Sequence, residues 1–305
     1  MSATSASGRA SNRLETGLSV RCQGLRHVYH LEGEEVVAVD DVDLTVSAGE
    51  SVAVLGPSGS GKSTLLTLLA GLLRPTAGQL YVGAEDTTRM SERELLRMRS
   101  QRVGVVVQGP SRNLLPYGTA EDNIVFAQRA VRRTRRADLP RPGELLDALG
   151  MADLSGRVVG RLSGGEAQRL AVAVALAAGP GLLLADEPTS QLDRPNRDRV
   201  VELLRTLTRQ FGTTLVAVTH DADVAQALGR IVTIVAGRAH DRDQHREQFV
   251  TVRPDGSVRL PADVLDALPP GSTARLVRKP DGVELVRHEN VGEPGASAAD
   301  DEETP

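Results

Sequence analysis

A chain of 305 residues has room for one large domain, or for one domain with a small appendage. Its hydrophobic fraction of 40% and charged fraction of 25% are ordinary for a globular protein, and a net charge of −4 gives no general attraction to nucleic acid or to an anionic membrane surface. The single cysteine, Cys22, excludes an internal disulfide and predicts a reducing compartment. Residues 1–17 lack the apolar stretch of a signal peptide and are predicted to be disordered.

Two kinds of strand are predicted. Between Leu18 and Gly49, apolar and polar residues alternate, which is typical of half-buried antiparallel strands. Short, fully apolar runs follow, with helical segments between them: Val52–Leu55, Val103–Val107, Leu182–Ala185, Leu215–Val218 and Ile231–Val235. Strands that are buried on both faces belong to largely parallel sheets covered by helices. We therefore predict an α/β domain over residues 18–240, in which residues 91–100 and 120–160 are helical.

The most informative segment is a glycine-rich turn between the strand Ser51–Leu55 and a helix predicted over Thr64–Ala70. It holds the only lysine in the first 278 residues, although arginine is frequent. The turn consists of Gly56, Pro57, Ser58, Gly59, Ser60, Gly61, Lys62, Ser63 and Thr64, the G-x-x-x-x-G-K-S pattern of a P-loop. In a P-loop, backbone N–H groups and the lysine bind phosphate oxygens, and the serine hydroxyl ligates Mg²⁺. This pattern predicts binding of a nucleoside triphosphate; a structural turn without a ligand is the alternative.

Two carboxylates follow the apolar run Leu182–Ala185. We predict that Asp186 holds Mg²⁺ through water and that Glu187 orients and deprotonates an attacking water. Acidic residues also open turns at strand ends, but a P-loop earlier in the chain favours the catalytic interpretation.

A second glycine-rich turn, residues 163–166, precedes a helix predicted over Glu166–Ala178. Free backbone N–H groups and a hydroxyl at a helix N-terminus make a phosphate site. Because one γ-phosphate does not need two such sites, the second turn is predicted to serve a nucleotide held by another copy of the chain. A capped helix start without a ligand is the alternative.

Taken in chain order, these motifs together with Gln108 and His220 resemble the ATP-binding cassette (ABC) ATPases over about residues 18–237. Segments 113–116, 119–123 and 186–190 resemble the lipoprotein-releasing and macrolide-exporter type of cassette. The resemblance implies a P-loop NTPase fold with a mixed sheet, an antiparallel β subdomain and a helical subdomain. It also implies a homodimer that binds ATP and Mg²⁺ and works with transmembrane permease subunits.

The resemblance assigns roles to individual residues. It implies that Tyr29 stacks on adenine, that Gln108 contacts Mg²⁺ or the attacking water, and that His220 contacts the γ-phosphate. The residues implied to close over ATP bound to the other subunit are Ser163, Gly164, Gly165 and Glu166. Residues 190–193 would contact that subunit. An ordinary strand tyrosine and a surface histidine are the alternatives for Tyr29 and His220.

The chain departs from the family in two mild ways. The family often has arginine where this chain has Val174, and alanine where it has Gln191. Neither residue does the chemistry, so an active ATPase is expected.

Beyond a polar bridge, Arg238–Glu247, residues 249–288 form a second patterned unit. The pattern predicts two strands, a short helix from Pro261, and a hairpin over residues 270–286. This order resembles the swapped-hairpin domain of transition-state regulators and antitoxins, which form intertwined dimers and often bind DNA. Six basic residues against five acidic ones give a net charge of about +1, which favours a dimerising or regulatory appendage over DNA binding. Residues 289–305, with the acidic cluster at 300–303, are predicted to be disordered.

The expected protein is a cytoplasmic ATPase, peripheral on the inner face of the membrane, that drives separately encoded membrane subunits. Lys62 and the P-loop would neutralise phosphate charge, while Glu187 and His220 would act on water and the γ-phosphate. Two alternatives remain open: the ATPase of a transmembrane signalling complex of the cell-division type, and an ATP-switched DNA-binding regulator.

Overall fold

The computed structural model describes residues 17–31, 34–129, 131, 139–241, 268, 272–279 and 282–287. The chain divides into two units, residues 1–246 and 247–305. The predicted disordered ends and the predicted strands and helix at 249–267 lie outside the described residues, except for Gly17.

A six-stranded sheet forms the centre of the first unit, in the order β10-β9-β3-β8-β7-β6. Its strands are β3 (Ser51–Leu55), β6 (Val103–Val106), β7 (Leu182–Asp186), β8 (Thr214–Val218), β9 (Arg230–Val235) and β10 (Arg238–Asp241). The first five are parallel, and β10 pairs antiparallel with β9. All five predicted apolar runs are therefore strands of one sheet. Because β3, β8 and β7 are neighbours, the segments that leave their carboxyl ends meet at one edge of the sheet.

A four-stranded antiparallel sheet, in the order β2-β1-β4-β5, covers this centre on one side. It is built from β1 (Val20–Leu31), β2 (Glu34–Val46), β4 (Ala77–Val82) and β5 (Glu85–Asp86). The predicted antiparallel strands between residues 18 and 49 are confirmed as β1 and β2, whose register pairs Tyr29 with Val36.

Helices cover both faces of the central sheet. They are α1 (Lys62–Leu69), α2 (Glu92–Gln101), α3 (Ala120–Gln128), α4 (Pro142–Ala148), α5 (Gly164–Leu176), α6 (Arg194–Phe211) and α7 (Ala222–Leu228). Successive strand residues alternate between two cores: Leu182 and Leu184 pack with α1 and the antiparallel sheet, whereas Leu183 and Ala185 pack with α3 to α7. None of the helices in the described part of the chain combines the length and apolarity that crossing a bilayer requires.

Several predicted boundaries were wrong, including that of the helix predicted over Thr64–Ala70, which is α1 and begins at Lys62. Residues 120–160 are not helical throughout. Val158 is extended and pairs with Thr119 as a β-bridge. A single 3-10 turn precedes Val158 at Ala152–Leu154, and another follows it at Val159–Arg161. The polar bridge Arg238–Glu247 begins as strand β10, since its residues pair with Val232–Val235 of the partly buried strand β9. The helix predicted over Glu166–Ala178 is α5, which begins two residues earlier because Ser163 caps it.

The described part of the second unit is an antiparallel pair, β11 (Ala274–Lys279) and β12 (Gly282–Arg287). It lies where the sequence predicts a hairpin. Leu276 and Val283 are 66% and 64% exposed, so the pair carries apolar side chains that nothing in the described structure covers.

Candidate active site

The P-loop lies at the carboxyl end of β3, and α1 begins within it at Lys62. Gly61 has a φ of 98°, and a Cβ atom at this position would lie 2.0 Å from the carbonyl oxygen of Ala38, so glycine is required. Lys62 Nζ donates hydrogen bonds to the carbonyl oxygens of Gly56 at 2.9 Å and Pro57 at 2.7 Å. These bonds hold the ammonium group against the loop that would surround phosphate.

Burial and nearby carboxylates act in opposite directions on Lys62. The residue is only 8% exposed, and burial lowers the pKa of its ammonium group, while the charges of Glu187 and Asp186 work against that shift. The lysine, the P-loop and the two carboxylates therefore form one electrostatic cluster.

Asp186 and Ser63 are brought together from β7 and α1. Ser63 Oγ donates a hydrogen bond to Asp186 Oδ1 at 3.3 Å, although the two residues are far apart in the chain. Burial raises the pKa of the Asp186 carboxyl, and the neighbouring Glu187 adds to that shift, whereas Ser63 and Lys62 counteract it. A carboxylate that is costly to ionise next to a hydroxyl is a suitable place for a hard cation.

The donor chemistry fits Mg²⁺ bound together with a nucleotide. Hydroxyl, carboxylate and amide oxygens are the ligands that Mg²⁺ prefers, and Ser63, Asp186 and Gln108 all line one cavity. Within the described residues, no group of three or more His, Cys, Asp or Glu side chains could hold a metal ion. Mg²⁺ would therefore take its remaining ligands from phosphate and water.

Glu187 and His220 form a direct pair at the ends of β7 and β8. His220 Nδ1 lies 2.8 and 2.9 Å from the two carboxylate oxygens of Glu187. Glu187 has a φ of 48°, in the left-handed region that costs free energy for a residue with a Cβ, and its N–H donates to the carbonyl oxygen of Val218 at 3.0 Å. The sequence did not predict this pairing, because the order of β7 and β8 in the sheet cannot be read from motif spacing.

One cavity of about 620 Å³ joins these groups. Its lining includes the predicted residues Tyr29, Ser58, Gly59, Gly61, Lys62, Ser63, Thr64, Gln108, Asp186, Glu187 and His220. Gly56, Pro57 and Ser60 complete the loop without lining the cavity.

One end of the cavity, around Tyr29, is apolar. Tyr29 lies 3.4 Å from Thr64, measured between the phenol and threonine hydroxyl oxygens, and its ring packs edge-on against His27 at 4.7 Å between centroids. Val36 and Val37, which the sequence analysis missed, line the same end and are 45% and 42% exposed. The feature that could have indicated these two valines is the register of β1 and β2, which places Val36 opposite Tyr29. A flat apolar ring such as adenine is the kind of group this surface suits.

The segment after β6 carries Gln108 into the cavity and is held in shape by Asn113. The Asn113 side chain accepts a hydrogen bond from Val107 N at 2.8 Å and donates to the carbonyl oxygens of Val107 at 2.8 Å and Gly109 at 2.9 Å. One amide therefore ties both sides of Gln108 together, a structural role that its sequence position did not reveal.

The second glycine-rich turn lies apart from the cavity: none of Ser163, Gly164, Gly165 and Glu166 lines it. Ser163 Oγ accepts from Glu166 N at 3.3 Å, and the Glu166 carboxylate accepts from Ser163 N at 2.7 Å. That second bond is the main reason why the pKa of Glu166 is lowered. The capped helix start weighed as the alternative is thus present, and a Cβ atom on Gly164 would meet nothing within 4 Å, so the turn is open to a ligand.

Comparison with known proteins agrees with this geometry. The family model described as "ABC transporter" matches residues 39–190. The lipoprotein-releasing system ATP-binding protein LolD 1 of Caulobacter vibrioides is 43% identical over 72% of this chain and 93% of its own length. The macrolide export ATP-binding/permease protein MacB of Rhodopirellula baltica is 39% identical over 76% of this chain but only 34% of its own.

A solved structure of a dimeric ATP-binding cassette, in a post-hydrolysis state bound to ADP and Pi, has the same fold. It is 34% identical, has a TM-score of 0.63, and the match covers 73% of this chain and 98% of the other. The expected fold class and family are both confirmed. The chain belongs to the ABC transporter family and is an ATP-binding, ATP-hydrolysing subunit of that family.

Proposed function

We propose that two copies of this chain enclose two Mg-ATP and that hydrolysis drives separately encoded membrane subunits. In each site, the P-loop, Asp186, Glu187 and His220 come from one copy, and Ser163–Glu166 from the other. Lys62 neutralises phosphate charge, and Glu187 serves as general base for the attacking water, with His220 holding that carboxylate and the γ-phosphate in place. Ser63 and Asp186 would hold Mg²⁺, which would supply positive charge to offset the negative charge of the transferred phosphoryl group.

The separation of the two glycine-rich turns carries this proposal. The cavity holds a complete set of groups for one nucleotide, yet the capped and open turn at Ser163 contributes nothing to it. A second copy related by a two-fold axis would let each turn serve the other copy's cavity, as closed symmetric dimers allow.

An exposed apolar surface near Gln108 is the place where we expect the membrane subunits to bind. Leu115 and Tyr117 lie on the loop after Gln108, Val125 and Phe126 lie on α3, and all four are exposed. Asn123 Oδ1 accepts from Leu115 N at 2.7 Å, so loop and helix form one surface. Binding there would place the ATPase in the cytoplasm, peripheral on the inner face of the membrane. Lipoprotein release and macrolide export, the functions in the relatives' names, favour transport over a signalling complex of the cell-division type or DNA binding.

Mixed dimers test the shared site. Ser163→Arg blocks the turn, and Lys62→Ala disables the P-loop, so each variant alone should be inactive. In a mixed dimer one site combines the intact P-loop of one copy with the intact turn of the other. An equal mixture should therefore recover about a quarter of wild-type ATP turnover, because half of the dimers are mixed and each has one working site. An inactive mixture, with mixed dimers demonstrated by differently tagged copies, would contradict the shared site.

The C-terminal unit is proposed to be a constitutive dimerising module. The two-stranded pair β11–β12 is too small to be stable alone, and the exposed Leu276 and Val283 are available for pairing with a second copy. Such a contact would keep two ATPase units close after hydrolysis and raise their effective concentration.

Ending the chain after Arg246, at the boundary between the two units, tests this role. Without nucleotide, at micromolar concentration, the full chain should sediment as a dimer and the shortened chain as a monomer. The ATPase rate of the shortened chain should depend more steeply on protein concentration. In the full chain, Leu276→Ser with Val283→Ser should have the same effect. A full chain that sediments as a monomer would show that the unit does not dimerise the protein.

A further inference from the structure

The second glycine-rich turn, residues 163–166 (the signature turn), is packed against the first turn of α6. Gly165 is buried there, and a Cβ atom on it would lie 2.6 Å from Oδ1 and 2.7 Å from Cγ of Asn196. Gly165 does not have a positive φ, so its backbone would accept alanine. Within one subunit, the obstacle to a side chain at this position is therefore Asn196.

The same Asn196 side chain is bound to the loop that precedes α6. Its amide Nδ2 donates to Asp193 Oδ1 at 2.7 Å, and its backbone N donates to the same oxygen at 3.1 Å. Asp193 is the N-cap of α6 and ends the segment 190–193, in which Gln191 has a φ of 68°. Asn196 therefore both contacts Gly165 and fixes the end of the loop 190–193 through Asp193.

Arg197, the residue after Asn196, also anchors the first turn of α6. Arg197 Nη1 donates to Asp221 Oδ2 at 2.8 Å, and Asp221, which follows His220, caps α7 through the N–H groups of Asp223 and Val224. The first turn of α6 is therefore held by a charge-assisted bond to Asp221, the residue after the chain's own His220. A side chain in such a turn has little freedom to move away from Gly165.

We propose that Asn196 is a positioning residue that ties the signature turn to the loop 190–193 within one subunit. The turn and the loop then approach the partner's ATP as one rigid unit, so that the position of one segment determines the position of the other. This inference rests on the proposed shared site, in which the turn acts on a nucleotide held by the other copy. Asn196 itself lies outside the cavity that Lys62 lines, and its contribution is to geometry.

Rescue of a glycine substitution tests the contact in the full-length protein. Gly165→Ala should lower kcat about tenfold or more, with ATP affinity of the P-loop changed less than about twofold, because only the partner-facing turn is displaced. Asn196→Ala removes the atoms that the new methyl group meets. The double variant should therefore turn over ATP at least about threefold faster than Gly165→Ala alone, a non-additive result expected for residues in contact.

A neighbouring glycine supplies the matched control. A Cβ atom on Gly164 meets nothing within 4 Å, so Asn196→Ala should not rescue Gly164→Ala. Equal effects of Asn196→Ala on both glycine variants, or no rescue of Gly165→Ala, would overturn the proposal. Glu202→Gln, an exposed change two turns along α6, should leave kcat and KM unchanged.

If Gly165→Ala does not fold, as judged by its melting temperature, Asn196→Asp gives an independent test. It removes the donor to Asp193 and places a like charge beside that carboxylate, so kcat should fall several-fold more than with Asn196→Ala, while ATP affinity stays unchanged. Equal kcat values for the two variants would overturn the proposal. These tests can be told apart from failure of the shared site. If mixed dimers do not regain ATP turnover, the shared site is wrong. If mixed dimers regain turnover but Asn196→Ala does not rescue Gly165→Ala, only the role of Asn196 is wrong.

Discussion

Glu187→Gln should lower ATP turnover by about 10²–10⁴-fold while leaving ATP binding intact. The amide keeps the shape of the side chain and can still contact His220, but it cannot accept a proton from water. Glu187 has a backbone in the left-handed region, and its carboxylate is paired with His220 in the cavity. Single-turnover and steady-state ATPase assays would measure the loss.

The same variant should accumulate as an ATP-bound dimer, since hydrolysis opens the dimer in the proposed cycle. In chains ended after Arg246, which lack the C-terminal unit, light scattering with ATP and Mg²⁺ should show a larger dimer fraction for Glu187→Gln than for the unsubstituted sequence. Glu202→Gln, an exposed acid on α6 outside the cavity, is the control and should leave the rate unchanged. A Glu187→Gln protein with half of the wild-type rate would contradict its assignment as general base.

Most of the fold could be predicted from local patterns in the sequence. Runs such as Leu182–Ala185 are short and apolar at every position, which is typical of a strand buried on both faces, and the structure places them in the central sheet. Glycine-rich turns were equally informative, because Gly61 adopts a conformation and a closeness to Ala38 that other residues cannot. These features depend on a few consecutive residues.

Contacts that depend on strand order were not predictable. The Glu187–His220 pair exists because β7 and β8 are neighbours, and Val36 faces the cavity because β2 pairs with β1 in one register. The close approach of Asn196 to Gly165 likewise depends on how α5 packs on α6. Because the members of such pairs are far apart in the chain, a single sequence does not reveal them. It indicates the residues that carry the chemistry, but not the residues that hold them in position.

Asp186→Asn should lower turnover by about 10²–10³-fold through loss of the metal, because the amide removes the negative charge that a hard cation needs. Asn keeps an oxygen near Ser63 Oγ, so the fold of the P-loop should not change. ATP affinity in the presence of EDTA should match that of the wild type, whereas Mg²⁺ should increase it less than in the wild type. Isothermal titration with ATP, with and without Mg²⁺, measures both quantities.

The raised pKa of Asp186 gives this prediction a dependence on pH. Burial disfavours the ionised carboxylate, so protonation competes with Mg²⁺ at a higher pH than for an exposed aspartate. In the wild type, the gain in ATP affinity from Mg²⁺ should therefore shrink as the pH falls toward that raised pKa, and Mg²⁺ binding should release protons. Asp186→Asn should show only the part of both effects that comes from the γ-phosphate of ATP, which also exchanges protons for Mg²⁺. If Mg²⁺ strengthened ATP binding equally in the variant and the wild type at every pH, Asp186 would not be a metal ligand, and its bond to Ser63 would be structural.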